Sequence, residues 1–262
     1  MPLLPTADGH LEYLVTGSGR PVTVFAHGLA GSIAETRPLG SAVAGSRVFM
    51  HFRGHGASSA SESPWSYAAL AAELRAVADH VGATRAVGVS LGAGALTTLL
   101  AQTPDRFERL VFFLPAVLDR PRRDAALARL HAMATQVDAR DVDALAALLL
   151  AEQPNGVRDR ADVLAYVRRQ ADALVGTPVS AALRQMPDEV PVSDRRVLAA
   201  VTAPALVIAQ QGDSAHPVWV AEQLAAALPA GDLHVFGADG ALWSARAELR
   251  ALVAGFLNRP ER

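Results

Sequence analysis

Short runs of consecutive apolar residues alternate along the chain with longer segments in which apolar residues recur every three or four positions. The apolar runs at 22–26, 86–89, 110–114 and 205–209 are too short for helices and predict buried strands. Helical spacing predicts helices at 64–81, at 91–102, at 218–228 and at 245–257. Continuous apolar strands that alternate with helices are typical of a mostly parallel sheet covered by helices on both faces.

Three weaker runs, at 11–15, 48–52 and 233–236, predict further strands of the same sheet. The tripeptide Ala7-Asp8-Gly9 is a hairpin signal, so a short first strand is expected before residue 11.

The alternation stops between residues 116 and 200. No strand signal occurs there, and four helices are predicted at 124–136, 142–152, 161–175 and 179–186. We interpret this segment as a helical insertion. The predicted organisation is therefore an α/β core formed by residues 1–115 and 201–262, with a helical cap formed by residues 116–200.

Composition limits the classes of function. Of the 262 residues 51% are hydrophobic, and the formal net charge is only -2, so a folded chain is expected rather than a disordered one. Because the charges form no basic stripe, we expect no nucleic-acid partner. The sequence offers no targeting segment and no apolar run long enough to span a bilayer, so a cytoplasmic protein without a membrane partner is expected.

The chain has no cysteine, and all 24 basic residues are arginine. Cysteine nucleophiles, thiolate metal sites, lysine Schiff bases and a P-loop lysine are thereby excluded. We expect neither a metal nor a cofactor, and a small-molecule substrate held by Ser, His, Asp, Arg and the backbone. The sequence does not indicate the oligomeric state.

One motif carries a candidate nucleophile. Gly88-Val89-Ser90-Leu91-Gly92 lies between an apolar strand and an Ala-rich helix. A sharp turn from strand to helix strains the serine backbone and requires small neighbours, which Gly88 and Gly92 supply. It also directs the Leu91 N–H, at the positive end of the helix dipole, towards an oxyanion.

Around this motif the chain resembles the α/β-hydrolase superfamily. His27-Gly28-Leu29 resembles the family's oxyanion loop, and the stretch from Arg53 to Ser58 resembles its Arg-Gly-His-Gly-x-Ser loop. The resemblance implies that the Leu29 N–H is a second oxyanion donor. It also implies that the insertion is the family's cap.

The loop after the strand at 205–209 contains Asp213, four residues before Pro217. The family's acid is an aspartate in this loop, often at that spacing, so Asp213 is the candidate acid that orients an imidazole. A helix N-cap or a turn aspartate is the other interpretation.

The family's histidine, which follows the last strand, is absent. Residues 236–243 read Phe-Gly-Ala-Asp-Gly-Ala-Leu-Trp, and no histidine occurs beyond His234. We therefore expect a degenerate triad. His216 is the favoured substitute base, His131 and His51 are alternatives, and a chain with no base at all also remains open. The candidates for substrate contact are His27, Trp243 and His131.

Three functions compete. The first is a serine hydrolase that attacks a small ester, lactone or related acyl substrate through Ser90. The second is a non-hydrolytic enzyme for cyclisation, elimination or proton transfer on the same scaffold. The third is a ligand-binding pseudoenzyme, since a fold alone does not fix a function. The intact nucleophile and oxyanion motifs favour the first.

Overall fold

An eight-stranded sheet runs through the molecule. The computed structural model describes residues 1–61 and 63–259, and residues 62 and 260–262 of the predicted core lie outside this range. In chain order the strands are β1 (Leu3–Thr6), β2 (Gly9–Thr16), β3 (Val22–Ala26), β4 (Ser46–Met50), β5 (Arg85–Val89), β6 (Arg109–Phe113), β7 (Ala205–Gln210) and β8 (Gly231–Phe236). They lie in the order β1-β2-β4-β3-β5-β6-β7-β8.

The pairing makes the sheet mostly parallel. Only β2 runs against its neighbours, β1 and β4, and every other pair is parallel. The first hairpin pairs Thr6 with Gly9, as the turn signal predicts. The predicted mostly parallel sheet flanked by helices is confirmed.

Nine α-helices accompany the strands in the described part of the chain. They are α1 (Ile33–Thr36), α2 (Tyr67–Val81), α3 (Leu91–Gln102), α4 (Ala125–Ala139), α5 (Val142–Ala151), α6 (Ala161–Leu174), α7 (Val179–Gln185), α8 (Val218–Ala227) and α9 (Arg246–Leu257). The periodic segments have the predicted type, and their ends either coincide with the predicted ones or differ by up to three residues. Helix α2 begins at Tyr67 rather than Pro64, because the Ser66 hydroxyl accepts the Ala69 N–H at 3.2 Å and caps the helix there.

Three short helical elements were not predicted from the periodicity of the sequence. Helix α1, the 3₁₀ turn Arg37–Gly40 and a single π-helical turn at Gly240–Ser244 have no predicted counterpart. Each has four or five residues, too few for a 3.6-residue repeat to be recognised.

Both faces of the sheet are buried. On β3, Val24 packs in the cluster formed with α2 and α3, whereas its neighbour Phe25 packs in the cluster formed with α9. Successive side chains of a strand point to opposite faces, so apolar neighbours along one strand supply two separate cores. This explains why the central strands are continuous apolar runs rather than alternating ones.

The helices α4 to α7 lie between β6 and β7 in the chain, and we call residues 116–200 the helical insertion. Their buried side chains form a third cluster, which includes Met133, Val137 and Leu145. Ala30, from the loop after β3, belongs to the same cluster. The insertion therefore packs on the loops at the carboxyl edge of the parallel strands. Among the described residues, no helix combines the length and the apolar character that crossing a membrane requires.

Candidate active site

Ser90 occupies the turn between β5 and α3 in a strained backbone conformation. Its φ is 49° and its ψ is -106°, a combination that side-chain-bearing residues rarely adopt. Its N–H donates to the Phe113 carbonyl at the end of the neighbouring strand β6, at 2.9 Å. The turn thus holds the Ser90 hydroxyl at the carboxyl edge of the sheet, as the strand–serine–helix motif predicts.

The two flanking glycines are needed for close packing. A Cβ on Gly88 would lie 2.7 Å from the Ala93 Cα, and a Cβ on Gly92 would lie 2.8 Å from the His27 carbonyl oxygen. Both distances are shorter than real Cβ contacts, and both neighbours are backbone atoms that cannot swing away. The sequence pattern around Ser90 is therefore a steric requirement of this turn.

An imidazole and a carboxylate approach the hydroxyl from the loop after β7. His216 Nε2 lies 2.8 Å from Ser90 Oγ, and His216 Nδ1 lies 2.9 Å from Asp213 Oδ2. A carboxylate only accepts hydrogen bonds, so Nδ1 carries the proton and donates it to Asp213. Nε2 then has its lone pair free to accept the Ser90 hydroxyl.

Asp213 is held in its ionised form. Burial raises the pKa of its carboxyl, but the charge and hydrogen bond of His216 and the hydrogen bonds from two backbone N–H groups together lower it by more, so the net pKa lies below its ordinary value. The second oxygen, Oδ1, accepts the backbone N–H groups of Ala215 and His216 at 2.9 and 3.0 Å. The Asp213 carboxylate therefore stabilises the turn of the loop and also orients the His216 imidazole towards Ser90.

Two arginines of the insertion hold the same loop from the other side. Arg122 is buried and donates to the Ala215 carbonyl at 2.5 Å, while Arg129 donates to the Ser214 hydroxyl at 2.8 Å. Arg122 also binds the Asp124 carboxylate, at 3.1 Å to each oxygen. Arg122 thus contacts both its own segment of the insertion and the loop that carries His216.

The two candidate oxyanion donors lie beside Ser90. Gly28 packs so closely on the serine that a Cβ on it would lie 3.4 Å from Ser90 Cβ, and Leu29 follows directly. Within the described residues neither the Leu29 N–H nor the Leu91 N–H donates to a backbone or side-chain acceptor. The Leu91 N–H begins α3 and so carries the positive end of the helix dipole.

These groups open into a cavity of about 510 Å³ between the sheet edge and the insertion. Ser90, Asp213, His216, Leu29 and Leu91 all line it, together with insertion side chains such as Met133 and Leu149. Trp243, predicted to contact substrate, also lines it.

Two of the residues predicted to contact substrate lie outside the lining of this cavity. His27 is completely buried, donates from Nδ1 to the Gly28 carbonyl at 2.7 Å and accepts the Phe52 N–H at Nε2, so it supports the loop and lies outside the cavity lining. Burial, followed by the nearby His55, lowers the pKa of His27 well below its ordinary value, which keeps the ring neutral. His131 is exposed on α4 and also lies outside the cavity lining, because the apolar face of α4 turns Met133 and Val137 inward instead.

The other histidines have different partners. His51, an alternative base, accepts the Ile33 N–H at Nε2 and donates to Glu12 from Nδ1, so neither nitrogen is free for Ser90. After β8, where the family carries its histidine, Ala241 is buried and its N–H donates to Gln210 Oε1 at 2.7 Å. All eight histidines lie in the described residues, and His216 is the one whose ring contacts Ser90.

A second cavity, of about 760 Å³, lies between the loop after β3 and helix α6. It contains Glu35, a residue that no sequence signal marks out, since it is a lone carboxylate in a short helix. Burial raises the pKa of the Glu35 carboxyl to about 7, even though hydrogen bonds from the Tyr166 hydroxyl and the Ser32 N–H act in the opposite direction. Among the described residues no group of three or more His, Asp or Glu side chains is arranged to hold a metal ion.

Known proteins share this architecture. A family model described as alpha/beta hydrolase fold matches residues 21–242. A hydrolase from Pseudomonas aeruginosa PA01 superposes with a TM-score of 0.80 at 26% identity, covering 98% of both chains. An enol-lactonase from Burkholderia xenovorans LB400 has a TM-score of 0.81 at 21% identity, covering 98% of this chain and 100% of its own. An esterase from Exiguobacterium antarcticum has a TM-score of 0.78 at 17% identity, covering 98% and 99% of the two chains. No curated protein sequence matches the chain significantly.

The Glu35 carboxyl predicts a pH dependence of stability. The folded protein keeps a proton on Glu35 up to a pKa of about 7, whereas the unfolded chain releases it near 4.5. The stability gained from the protonated form is therefore fully present below about pH 4.5 and is lost as the pH rises through 7. We expect the free energy of unfolding of wild type, relative to Glu35→Gln, to fall by about 1–2 kcal/mol between pH 5 and pH 8.

Urea denaturation at several pH values measures this difference. The exposed carboxylate Glu222 on α8 provides the matched control, Glu222→Gln, for which no such change relative to wild type is expected. Stability curves of wild type and Glu35→Gln that run parallel from pH 5 to pH 8 would contradict the assignment.

Proposed function

The chain belongs to the alpha/beta hydrolase fold family, and on this basis we propose that it is a serine hydrolase that cleaves a small ester, lactone or related acyl compound through Ser90. One observation carries the proposal, the 2.8 Å contact between His216 Nε2 and Ser90 Oγ. A base within hydrogen-bond reach is what separates a nucleophilic serine from an inert one.

In the proposed acylation, Ser90 Oγ attacks the carbonyl carbon and its proton passes to His216 Nε2. The imidazolium that forms is stabilised by Asp213, which already accepts the Nδ1 proton at 2.9 Å. The carbonyl oxygen becomes an oxyanion beside the free N–H groups of Leu29 and Leu91. His216 then gives its proton to the leaving oxygen as the bond between carbon and that oxygen breaks.

In the proposed deacylation, water takes the place of the leaving group. His216 accepts a proton from the water as its oxygen attacks the acyl carbon, and the same oxyanion donors act again. The proton returns to Ser90 Oγ when the acyl–enzyme bond breaks, which releases the carboxylic acid. For a lactone, the leaving alcohol and the acid are parts of one molecule.

Two solved relatives support this reaction class. One is described as an enol-lactonase and another as an esterase, and both superpose over nearly the whole chain. The competing interpretation, non-hydrolytic chemistry on the same scaffold, makes Ser90 dispensable, because acid–base groups rather than a nucleophile would carry that reaction.

Labelling by a fluorophosphonate probe tests the proposed function directly. We expect the wild-type protein to be labelled on Ser90 and to hydrolyse p-nitrophenyl acetate or butanoate, and we expect Ser90→Ala to do neither. The control is Ser61→Ala, a serine far from Ser90 in the chain and outside the cavity lining. A folded wild-type protein that resists labelling and hydrolyses no ester or lactone would overturn the proposal, and Ser90→Ala with substantial turnover would favour the non-hydrolytic alternative.

A second prediction concerns the proposed base, His216. His216→Asn is expected to lower kcat by about 10⁴-fold or more while leaving the fold intact, since serine enzymes of another fold lose about 10⁶ without their base. Asp213→Asn is expected to lower kcat less, because the imidazole remains but loses its orientation. Steady-state kinetics on p-nitrophenyl butanoate provide the measurement, and an active His216→Asn variant would assign the base elsewhere.

Arg122 is expected to act as a positioning residue. Arg122→Met removes the donor to the Ala215 carbonyl, lets the loop of His216 shift, and is expected to lower kcat by about 10-fold to 100-fold with little change in KM. The matched control is Arg123→Met. Arg123 follows Arg122 in the chain, but it is exposed and binds Asp188 at the surface. Equal kcat values for the two variants would show that the loop holds its position without Arg122.

A further inference from the structure

The two cavities meet at a common wall. Six residues line both of them, and these are Ala30, Gln153, Tyr166, Gln170, Leu242 and Trp243. Two of the six, Tyr166 and Trp243, are aromatic, and together with the Gln153 and Gln170 side chains they form most of the wall. We call these six residues the partition. It separates the space in front of Ser90 from the larger cavity behind it.

Trp243 is fixed within the partition from three sides. Its indole N–H donates to Gln153 Oε1 at 2.9 Å, and its ring meets the Tyr166 ring edge-on at a centroid distance of 5.4 Å. The Arg246 guanidinium lies 5.3 Å from the indole centroid, within the range of a cation–π contact. A side chain with three such contacts keeps one orientation, and this places the indole between the two cavities.

The backbone turn after β8 is built to bring the indole there. Gly240 has a φ of 88°, a conformation that suits glycine. A Cβ at this position would lie 3.3 Å from Trp243 Cδ1 and 3.0 Å from Pro154 Cγ. The glycine therefore allows the turn to press Trp243 against the insertion.

Part of the lining of the cavity behind the partition is apolar and offers contacts to a hydrocarbon chain. The apolar side chains are Leu39, Val89, Phe113, Leu174, Val179 and Leu249, while charged side chains such as Glu35 and Arg169 line other parts. Its volume of about 760 Å³ exceeds the 510 Å³ in front of Ser90. Both volumes are in the range of small-molecule sites.

We propose that Trp243 sets the upper length of the acyl chain that this enzyme accepts, because its indole closes the route from Ser90 into the second cavity. The wild-type enzyme is thus restricted to short acyl groups, and removal of the indole joins the two cavities into one longer compartment. This inference rests on the proposed function for its kinetic test, whereas the position of Trp243 between the two cavities does not.

The expected gain follows from the burial of hydrocarbon. Each methylene that enters an apolar cavity is expected to raise kcat/KM by about fourfold. In wild type, kcat/KM is expected to fall as p-nitrophenyl esters lengthen from butanoate to dodecanoate. In Trp243→Ala it is expected to rise over the same series, so that dodecanoate is hydrolysed at least 100-fold better relative to butanoate than in wild type.

Trp243→Phe is the matched variant. It keeps an aromatic ring in the partition while losing the indole N–H, so its chain-length profile should follow wild type. Tyr166→Ala opens the partition from α6 and should likewise raise the relative kcat/KM for dodecanoate. It replaces Trp243→Ala in the test if that variant fails to fold. Identical profiles for Trp243→Phe and for a folded opening variant would overturn the proposal.

Two further variants test where the additional carbons of a long acyl group bind. Met133 lines only the first cavity, so Met133→Ala enlarges that space without crossing the partition and should extend acceptance by about three carbons at most. Ala173 is exposed and lines only the second cavity. Adding Ala173→Phe to Trp243→Ala should therefore abolish the gain with dodecanoate. If dodecanoate is still hydrolysed better after Ala173→Phe is added, the acyl chain does not enter the second cavity and the inference is refuted.

A binding measurement separates failure of this inference from failure of the proposed function. Isothermal titration calorimetry with dodecanoate is performed on Ser90→Ala and on Ser90→Ala with Trp243→Ala, where no turnover is possible through Ser90. At least tenfold tighter binding to the double variant is expected, reversed by Ala173→Phe. If no ester is hydrolysed but this difference appears, the proposed function fails and the partition stands, whereas equal affinities overturn the partition whatever the enzyme hydrolyses.

Discussion

The imidazole of His216 connects a carboxylate three residues earlier in its own loop to a hydroxyl on the turn after β5. Asp213 uses one oxygen to fold the loop through two backbone N–H groups and the other to orient the ring. The carboxylate and the imidazole consequently belong to one short loop, and their mutual geometry depends on that loop alone. What remains to be fixed is the distance from this pair to Ser90, two strands away in the sheet.

Side chains of the insertion contact the loop that carries this pair. Arg122 and Arg129 bind the 213–216 loop, and Glu152, the residue that follows α5, pairs with Arg129. The insertion therefore not only covers the cavity, because its charged side chains also contact the loop that carries the His216 imidazole. Because Arg122 is buried, its hydrogen bonds compete little with water and hold the loop more firmly than exposed pairs would.

Much of the fold was accessible from sequence. Continuous apolar runs predicted β3, β5, β6 and β7, because strands buried on both faces have no polar side to interrupt them. The turn at Ser90 was accessible for a steric reason, since Gly88 and Gly92 have no room for a side chain. The contact of His216 with Ser90 spans 126 positions and depends on the path of one loop, which no local pattern encodes. The positions of His27 and His131 outside the cavity lining could not be predicted either, because burial and helix orientation depend on tertiary packing.

The position of His216 also changes what the end of the chain has to do. In the proposed mechanism every reacting side chain occurs by residue 216, so the turn after β8 supplies none of them. That turn contributes to the cavity instead, through Ala238, Asp239, Leu242 and Trp243. In the proposed mechanism, the groups that decide which molecules fit are therefore partly separated along the chain from the groups that move protons.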